Sequence, residues 1–206
     1  MNCHFILFLG NCLLCTSLIH GCKPDTLRPD ELLSFIRDPR HGLVQISETG
    51  NWQLQFQYKP PAAVALISLE GSKHAADFER ELQNSTGFWD FELIMRPSVS
   101  HSIEAILPHS ADSLETTSNH LAFGMQNNIS LWVNGDSIPC TFYHLQPIGK
   151  VDNAFHVLLS FERPQSISDW RQDLLIVLDE PLFGTHPNRF HWSKNDLYEL
   201  PKLDYI

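Results

Sequence analysis

Residues Trp52-Gln53-Leu54-Gln55-Phe56-Gln57-Tyr58 alternate apolar and polar side chains without a break. A period of two is the geometry of a strand with one buried and one wet face, and it conflicts with the 3.6-residue repeat of a helix. The run therefore predicts half of a hairpin, with Leu43 to Ser47 as its partner, a turn at Glu48-Thr49-Gly50-Asn51, and Pro60-Pro61 as its stop.

Other segments carry the same signal. Phe88 to Met95 reads as a strand closed by Arg96-Pro97-Ser98. Ile129, Leu131 and Val133 alternate into Asn134-Gly135, a dipeptide that tolerates the positive φ of a tight turn, and Ile138, Cys140 and Phe142 alternate out. Ala154 to Phe161 is a further strand, and Leu174 to Leu178, apolar on both faces, belongs in the middle of a sheet. Phe190-His191-Trp192 makes a short one.

Helical signals are fewer. Pro29 suits a first helical position, Asp30 and Glu31 favour its positive end, and Leu32, Leu33, Phe35 and Ile36 form one face before Asp38-Pro39 ends it. Ala62 to Leu69 and Lys73 to Gln83 read as helices, the second with Ala75, Phe78 and Leu82 on one side. Val99 to Gln126 reads as helical pieces joined by loops, and Ser193 caps a last helix that Pro201 stops. The expectation is one α+β domain over residues 29–206, built on a largely antiparallel sheet with short N-terminal, middle and C-terminal helices.

Charge narrows the partners. The 206 residues hold 24 acidic and 14 basic side chains, a net charge of −10, with no Lys/Arg cluster. Binding to a phosphate backbone needs such a cluster, so nucleic acid is excluded as an expected partner.

Met1 to Gly21 contains no Lys, Arg, Asp or Glu and is dominated by Phe5 to Leu9, Leu13-Leu14 and Leu18-Ile19. It reads as a signal peptide, too short and too interrupted for a comfortable bilayer span. Leu18-Ile19-His20-Gly21-Cys22 resembles a bacterial lipobox, although the n-region lacks a basic residue and His20 stands where a small residue is commoner. The resemblance implies cleavage before Cys22, a diacylglycerol on its sulfur and an acyl chain on its amino group, with residues 22–28 as lipidated cysteine and tether. Two or three chains anchor a protein durably where one does not. Cys3, Cys12 and Cys15 leave with such a signal, so an acylated Cys22 leaves Cys140 without a disulfide partner. The alternative is a conventionally secreted chain with Cys22 free or paired with Cys140.

Three further stretches, Asp38-Pro39-Arg40-His41-Gly42-Leu43, Tyr58-Lys59-Pro60, and Phe183-Gly184 through Phe190, Asp196 and Leu200-Pro201, are short motifs of turns and strand ends. With the lipobox, they make the chain resemble a family of small, uncharacterised lipoproteins of Bacteroidota. The resemblance implies a Gram-negative envelope and an outer-membrane anchor, facing the periplasm by default because only Asp25 offers an acidic residue near Cys22. It carries over no catalytic residue. It also implies O-glycosylation at Asp-Ser/Thr-aliphatic motifs, with Thr26, Ser113 and Ser137 as acceptors. Asn84 and Asn128 stand in N-glycan sequons, which fit a different context.

Chemical motifs are sparse. There is no G-x-S-x-G, H-E-x-x-H, P-loop or G-x-G-x-x-G, so no catalytic or cofactor signature is read. His186 and His191 with Asp196 are the best metal candidates among 11 histidines, but Pro187 spoils a shared helical face. His144 and His156 sit in strand runs as wet or hydrogen-bonded positions. Cys140, in step with Ile138 and Phe142, reads as a buried structural thiol. Asp90 and Glu92 point the same way from one strand and, like Asp179-Glu180, could in principle serve a glycosidase, but a solvated face explains them better. Trp52, Trp89, Trp132, Trp170 and Trp192 could stack on sugars, but most alternate with core residues. The expected function is a lipid-anchored envelope protein whose domain binds a protein or glycan partner without catalysis; the alternative is an envelope hydrolase acting on glycans.

Overall fold

A computed structural model of the chain describes residues 26–69, 74–98, 103, 111–147, 153–165, 167 and 172–205. The expected signal peptide, Cys22 and Trp170 lie outside them. The chain folds as an α+β domain made of two antiparallel sheets and short helices. No helix among the described residues is long and apolar enough to cross a membrane.

The first sheet has five strands in the order β2 (Val44–Thr49), β3 (Trp52–Lys59), β4 (Phe88–Pro97), β8 (Phe155–Glu162), β7 (Phe142–Leu145). The second has four in the order β10 (Asn188–Trp192), β9 (Leu174–Leu178), β5 (Ile129–Val133), β6 (Asp136–Pro139). The alternating run is β3, its Trp52, Leu54, Phe56 and Tyr58 facing the core as expected. The β2–β3 register closes at Thr49 opposite Trp52, so the turn is the pair Gly50-Asn51, with Gly50 at φ 55. Asn134 and Gly135 take φ 54 and 92 between Val133 and its partner Asp136, the conformation a two-residue type I′ hairpin requires. Leu174 to Leu178 is internal to its sheet, between β10 and β5.

Aromatic rings from both sheets meet in the interior. Phe56 lies 4.6 Å from Phe190 and 6.4 Å from Trp192, and Phe91 lies 5.1 Å from Trp192, centroid to centroid. Trp192 is fully buried, and its Nε1–H donates to the Leu43 carbonyl at 3.0 Å. The same carbonyl accepts from the Tyr58 amide at 2.9 Å.

Short helices flank the two sheets. They are α1 (Pro29–Phe35), α2 (Pro61–Ser68), α3 (Ala75–Ser85), α4 (Ala111–Asn119) and α5 (Lys194–Tyr198). Pro29 stands at the first position of α1, and the Glu31 carboxylate accepts the Arg28 amide at 2.9 Å to cap it. Phe78 buries the inner face of α3, whereas Ala75 is exposed. One π-helical turn (His120–Gly124) and a 3₁₀ turn (Met125–Asn128) carry α4 into β5. Ser193 caps α5 by accepting the Asp196 amide at 3.2 Å.

Three expectations are corrected. Ile138, Cys140 and Phe142 are not one strand: Ile138 ends in β6 of one sheet, and Phe142 starts β7 of the other. The Thr141 amide donates to the Ser160 carbonyl at 2.9 Å while Phe142 is the Cα partner of Ser160. Two residues thus oppose one, the alternation flips as at a bulge, and Phe142 turns outward at 51% exposure. Gln57, on the wet side of β3 by alternation, is buried because α1 ends above it and the Ile36 carbonyl accepts its Nε2–H at 3.1 Å. The tether expected over residues 22–28 does not include its last part, because Thr26–Leu27 forms β1, a parallel pair with β11 (Lys202–Leu203), and Leu27 joins the core.

Trp192→Ala is expected to cost about 3–5 kcal/mol, the range for emptying a large buried aromatic site. Trp192→Phe, which keeps the ring packing but loses the bond to Leu43, should cost about 1 kcal/mol more than packing alone. Urea unfolding checks both; an alanine variant as stable as wild type would contradict the packing of the two sheets on Trp192.

Candidate functional site

Alternation puts Lys59, Asp90, Glu92, His156 and Ser160 on the outer face of the five-stranded sheet. In the register Lys59 pairs with Asp90, Asp90 with Ser160, Gln57 with Glu92, and Ile94 with His156. Glu92 accepts from Lys59 Nζ at 2.8 Å through one oxygen and from His156 Nδ1–H at 2.8 Å through the other. Its neighbour two residues back, Asp90, accepts from Ser160 Oγ at 2.5 Å. These side chains are partly covered, Lys59 at 15%, Glu92 at 16% and His156 at 23% exposure, so their attraction is screened less than at an open surface.

The environments of the two carboxyls differ. Burial holds Asp90 above the ordinary Asp value, against the pull of the Ser160 bond and the charges of Arg163 and Lys59. Burial alone would raise Glu92 too, but the bonds from Lys59 and His156 outweigh it and hold the carboxyl below its ordinary value. A cavity of 240 Å³ beside Asp90 and Lys59 is walled by Val64 and Ile67 of α2 and by Phe142 and Leu158. The pairing of Asp90 and Glu92 on one face is as expected from the sequence. Lys59, His156 and Ser160 are added by cross-strand register, which one strand's sequence does not contain.

A larger cleft of 590 Å³ opens at one end of the sandwich, where β3 runs into α2. Pro60, Pro61, Leu82, Ile167, Leu197 and Leu200 supply apolar walls. Arg163, just past β8, lines it with its guanidinium 5.0 Å from the centre of the Trp89 ring. Nε and one terminal nitrogen of the guanidinium are shielded from solvent. Burial pushes the Tyr58 phenol up, so it stays a neutral donor in the cleft wall. None of the described lining residues is acidic. Sequence reading missed Arg163; the signal available was a lone basic residue following directly on a long apolar strand.

Glu180 is a buried carboxylate of another kind. It accepts from His120 Nε2–H and Asn128 Nδ2–H at 2.8 Å each and from the Leu182 amide at 3.1 Å, tying the π-helical turn to the end of β9. Gly124 is required there, since a Cβ would come 2.5 Å from His120 Nδ1. With all its partners internal, Glu180 is an organiser of the fold.

The other sequence candidates disperse. His186 and His191 are exposed on the stretch leading to and through β10, and the acid near His191 is Asp173 at 3.9 Å. Asp196 is used in its own helix cap, accepting from Ser193 Oγ at 2.7 Å. Among the described residues, no three His, Cys, Asp or Glu side chains gather as a metal site. Cys140 is buried, donates to the Phe142 carbonyl at 3.0 Å, and its thiol is pushed by burial to about 11. Trp52, Trp89 and Trp192 are in the core and only Trp132 of the described tryptophans is exposed, so they form no stacking platform. Thr26 lies in β1 and is exposed, Ser137 is exposed on β6, and Ser113 lies in α4. Asn84 is exposed, while Asn128 is engaged with Glu180.

Comparison with known proteins found no matching family model, no matching curated protein and no matching solved structure.

Because the folded Glu92 carboxyl lies below its ordinary value of 4.5, its contribution to stability is full above that pH and is lost as pH falls through the folded value. Glu92→Gln should lower stability by about 1–3 kcal/mol at pH 7, the range for hydrogen bonds to a charged group. The gap to wild type should close below about pH 4, as the unfolded carboxylates protonate. Urea midpoints of both proteins at the two pH values check this, and a pH-independent gap would contradict it.

Proposed function

We propose that this chain is a lipid-anchored cell-envelope protein whose domain binds an apolar group of its partner in the 590 Å³ cleft, without catalysis. The cleft carries the binding half of the reading: its volume falls in the range that encloses a ligand, and its walls combine apolar surface with a few polar groups. The Leu18-Ile19-His20-Gly21-Cys22 stretch supports the anchor, and the Bacteroidota resemblance supports an outer-membrane site facing the periplasm. A glycan partner loses its main support, because the buried tryptophans offer no platform.

Alkyne-tagged palmitate fed to a Gram-negative host expressing the chain is expected to label wild type and not Cys22→Ala, with the mature mass beginning at Cys22. Label on neither would remove the anchored reading and leave a conventionally secreted protein.

A second reading, a glycan hydrolase, draws support from Asp90 and Glu92, two carboxyls on one strand face whose surroundings push their proton affinities in opposite directions. Alternate residues of a strand stand about 7 Å apart, inside the window of paired glycosidase carboxyls. On this reading, release of reducing ends from peptidoglycan or neutral polysaccharide should fall at least about a hundredfold in Asp90→Asn and in Glu92→Gln. No release by wild type on either substrate eliminates it.

A further inference from the structure

The cleft between α2, α3 and α5 lies on the side of the domain from which the N-terminal segment departs. β1 and β11 are parallel, with Thr26 beside Lys202 and Leu27 beside Leu203, so the chain before Thr26 leaves at the end of β11 where Leu200 and Pro201 precede it. Leu200 lines the cleft. Paired strands stand about 5 Å apart and two residues reach at most about 7 Å, which puts Thr26 within about 12 Å of that wall. Cys22 precedes Thr26 by four residues, a further reach of at most about 14 Å. A long acyl chain on Cys22 therefore starts within range of the cleft mouth.

The walls suit such a group. Leu82 and Leu200 are half-buried, and with Pro60, Ile167 and Leu197 they give the 590 Å³ opening hydrocarbon sides. That volume is in the range that encloses a ligand. The side chains of the segment itself suit it less, because Lys23 and Asp25 would carry charges into it. An acyl chain left in water has the converse problem: each methylene moved from water into apolar walls favours the covered state about fourfold.

We infer that the cleft holds one acyl chain of the protein's own Cys22 while the protein is off the bilayer. This rests on the reading of Cys22 as lipidated and of the cleft as the ligand site, and it makes the anchor the first occupant of that site. Off the bilayer, the segment before Thr26 folds back and the acyl chain is covered by Leu82 and Leu200. At the bilayer the acyl chain passes into lipid, and the cleft is free for the partner's apolar group.

The test is photocrosslinking of the full chain, made in a Gram-negative host fed a C15 fatty acid that carries a diazirine and an alkyne. The protein is purified, transferred to buffer without detergent or vesicles, and irradiated. The expected result is a link between the Cys22 peptide and peptides containing Leu82 or Leu200, in a monomeric fraction. When light and nitrogen-15 chains are mixed before irradiation, both linked peptides should come from the same isotopic chain. Leu82→Trp, which fills the cleft, should keep the probe on Cys22 and lower the link at least about tenfold, since excluding two methylenes suffices for that. Should Leu82→Trp fail to accumulate, Leu82→Asp places a carboxylate in the wall and is expected to lower the link as far. Probe on Cys22 with no link to the cleft, aggregation with no monomeric fraction, or links only between light and heavy chains would each overturn the inference and leave the lipid anchor standing. Absence of the probe from Cys22 would instead remove the anchored reading on which the inference rests.

Discussion

The Leu43 carbonyl is the point at which the two sheets are locked together. It accepts from the Tyr58 amide on its own hairpin and from the Trp192 indole of the facing sheet. The approach to it needs Gly42, whose φ of 78 turns the chain out of the 3₁₀ turn Pro39–His41, and where a Cβ would stand 2.7 Å from the Asp196 carboxyl. Asp196 in turn is bonded to Ser193, the cap that starts α5 immediately after Trp192. One glycine, one indole and one helix cap therefore meet at a single junction. The motifs around Gly42, Tyr58 and Asp196, far apart in the chain, are structural because they converge there.

That junction also accounts for the position of the cleft. Tyr58 is held by its amide at Leu43, so its ring and hydroxyl are fixed at the end of β3, where Pro60 and Pro61 turn the chain into α2. The proline pair cannot continue the ladder, and the change of direction leaves the end of the sandwich open. Helix α5, placed by Trp192 and Ser193, forms the opposite wall through Leu197 and Tyr198. The cleft is thus a consequence of how the sheets are joined, with rigid elements on both sides, as a preformed site requires.

How much of this was legible in the sequence depended on the range of the interaction. The Trp52 to Tyr58 alternation, the Asn134-Gly135 turn and the Ser193 cap are local, and each was readable because its period or its φ requirement is written in consecutive residues. Which sheet a strand joins is not written so. Ile138, Cys140 and Phe142 keep the spacing of one strand, yet the chain changes sheets at Cys140-Thr141, and only the facing Ser160 reveals it. The candidate site divides in the same way: Asp90 and Glu92 share a face by alternation alone, whereas His156 reaches Glu92 across 64 positions and Arg163 meets Trp89 across a strand pair. The metal candidates His191 and Asp196 failed for the converse reason. Five residues apart, they fall on a strand and on a helix, and the cap claims the carboxylate.

The pairing of β1 with β11 adds a constraint that neither chain end shows by itself. Thr26 and Leu27 are extended beside Lys202 and Leu203, and the Asp204 amide donates to the Leu27 carbonyl at 2.8 Å. Tyr205 then stacks on Phe78 of α3 at 4.3 Å, so the last residues run back over the helix whose Leu82 lines the cleft. A two-residue parallel pair has little intrinsic stability, and what holds it is Leu27 in the core and Tyr205 on Phe78. The N-terminal strand is therefore held through β11, which follows directly on the Leu200 wall of the cleft. The strand that pairs with Thr26–Leu27 thus lies two residues beyond Leu200, which lines the 590 Å³ cleft.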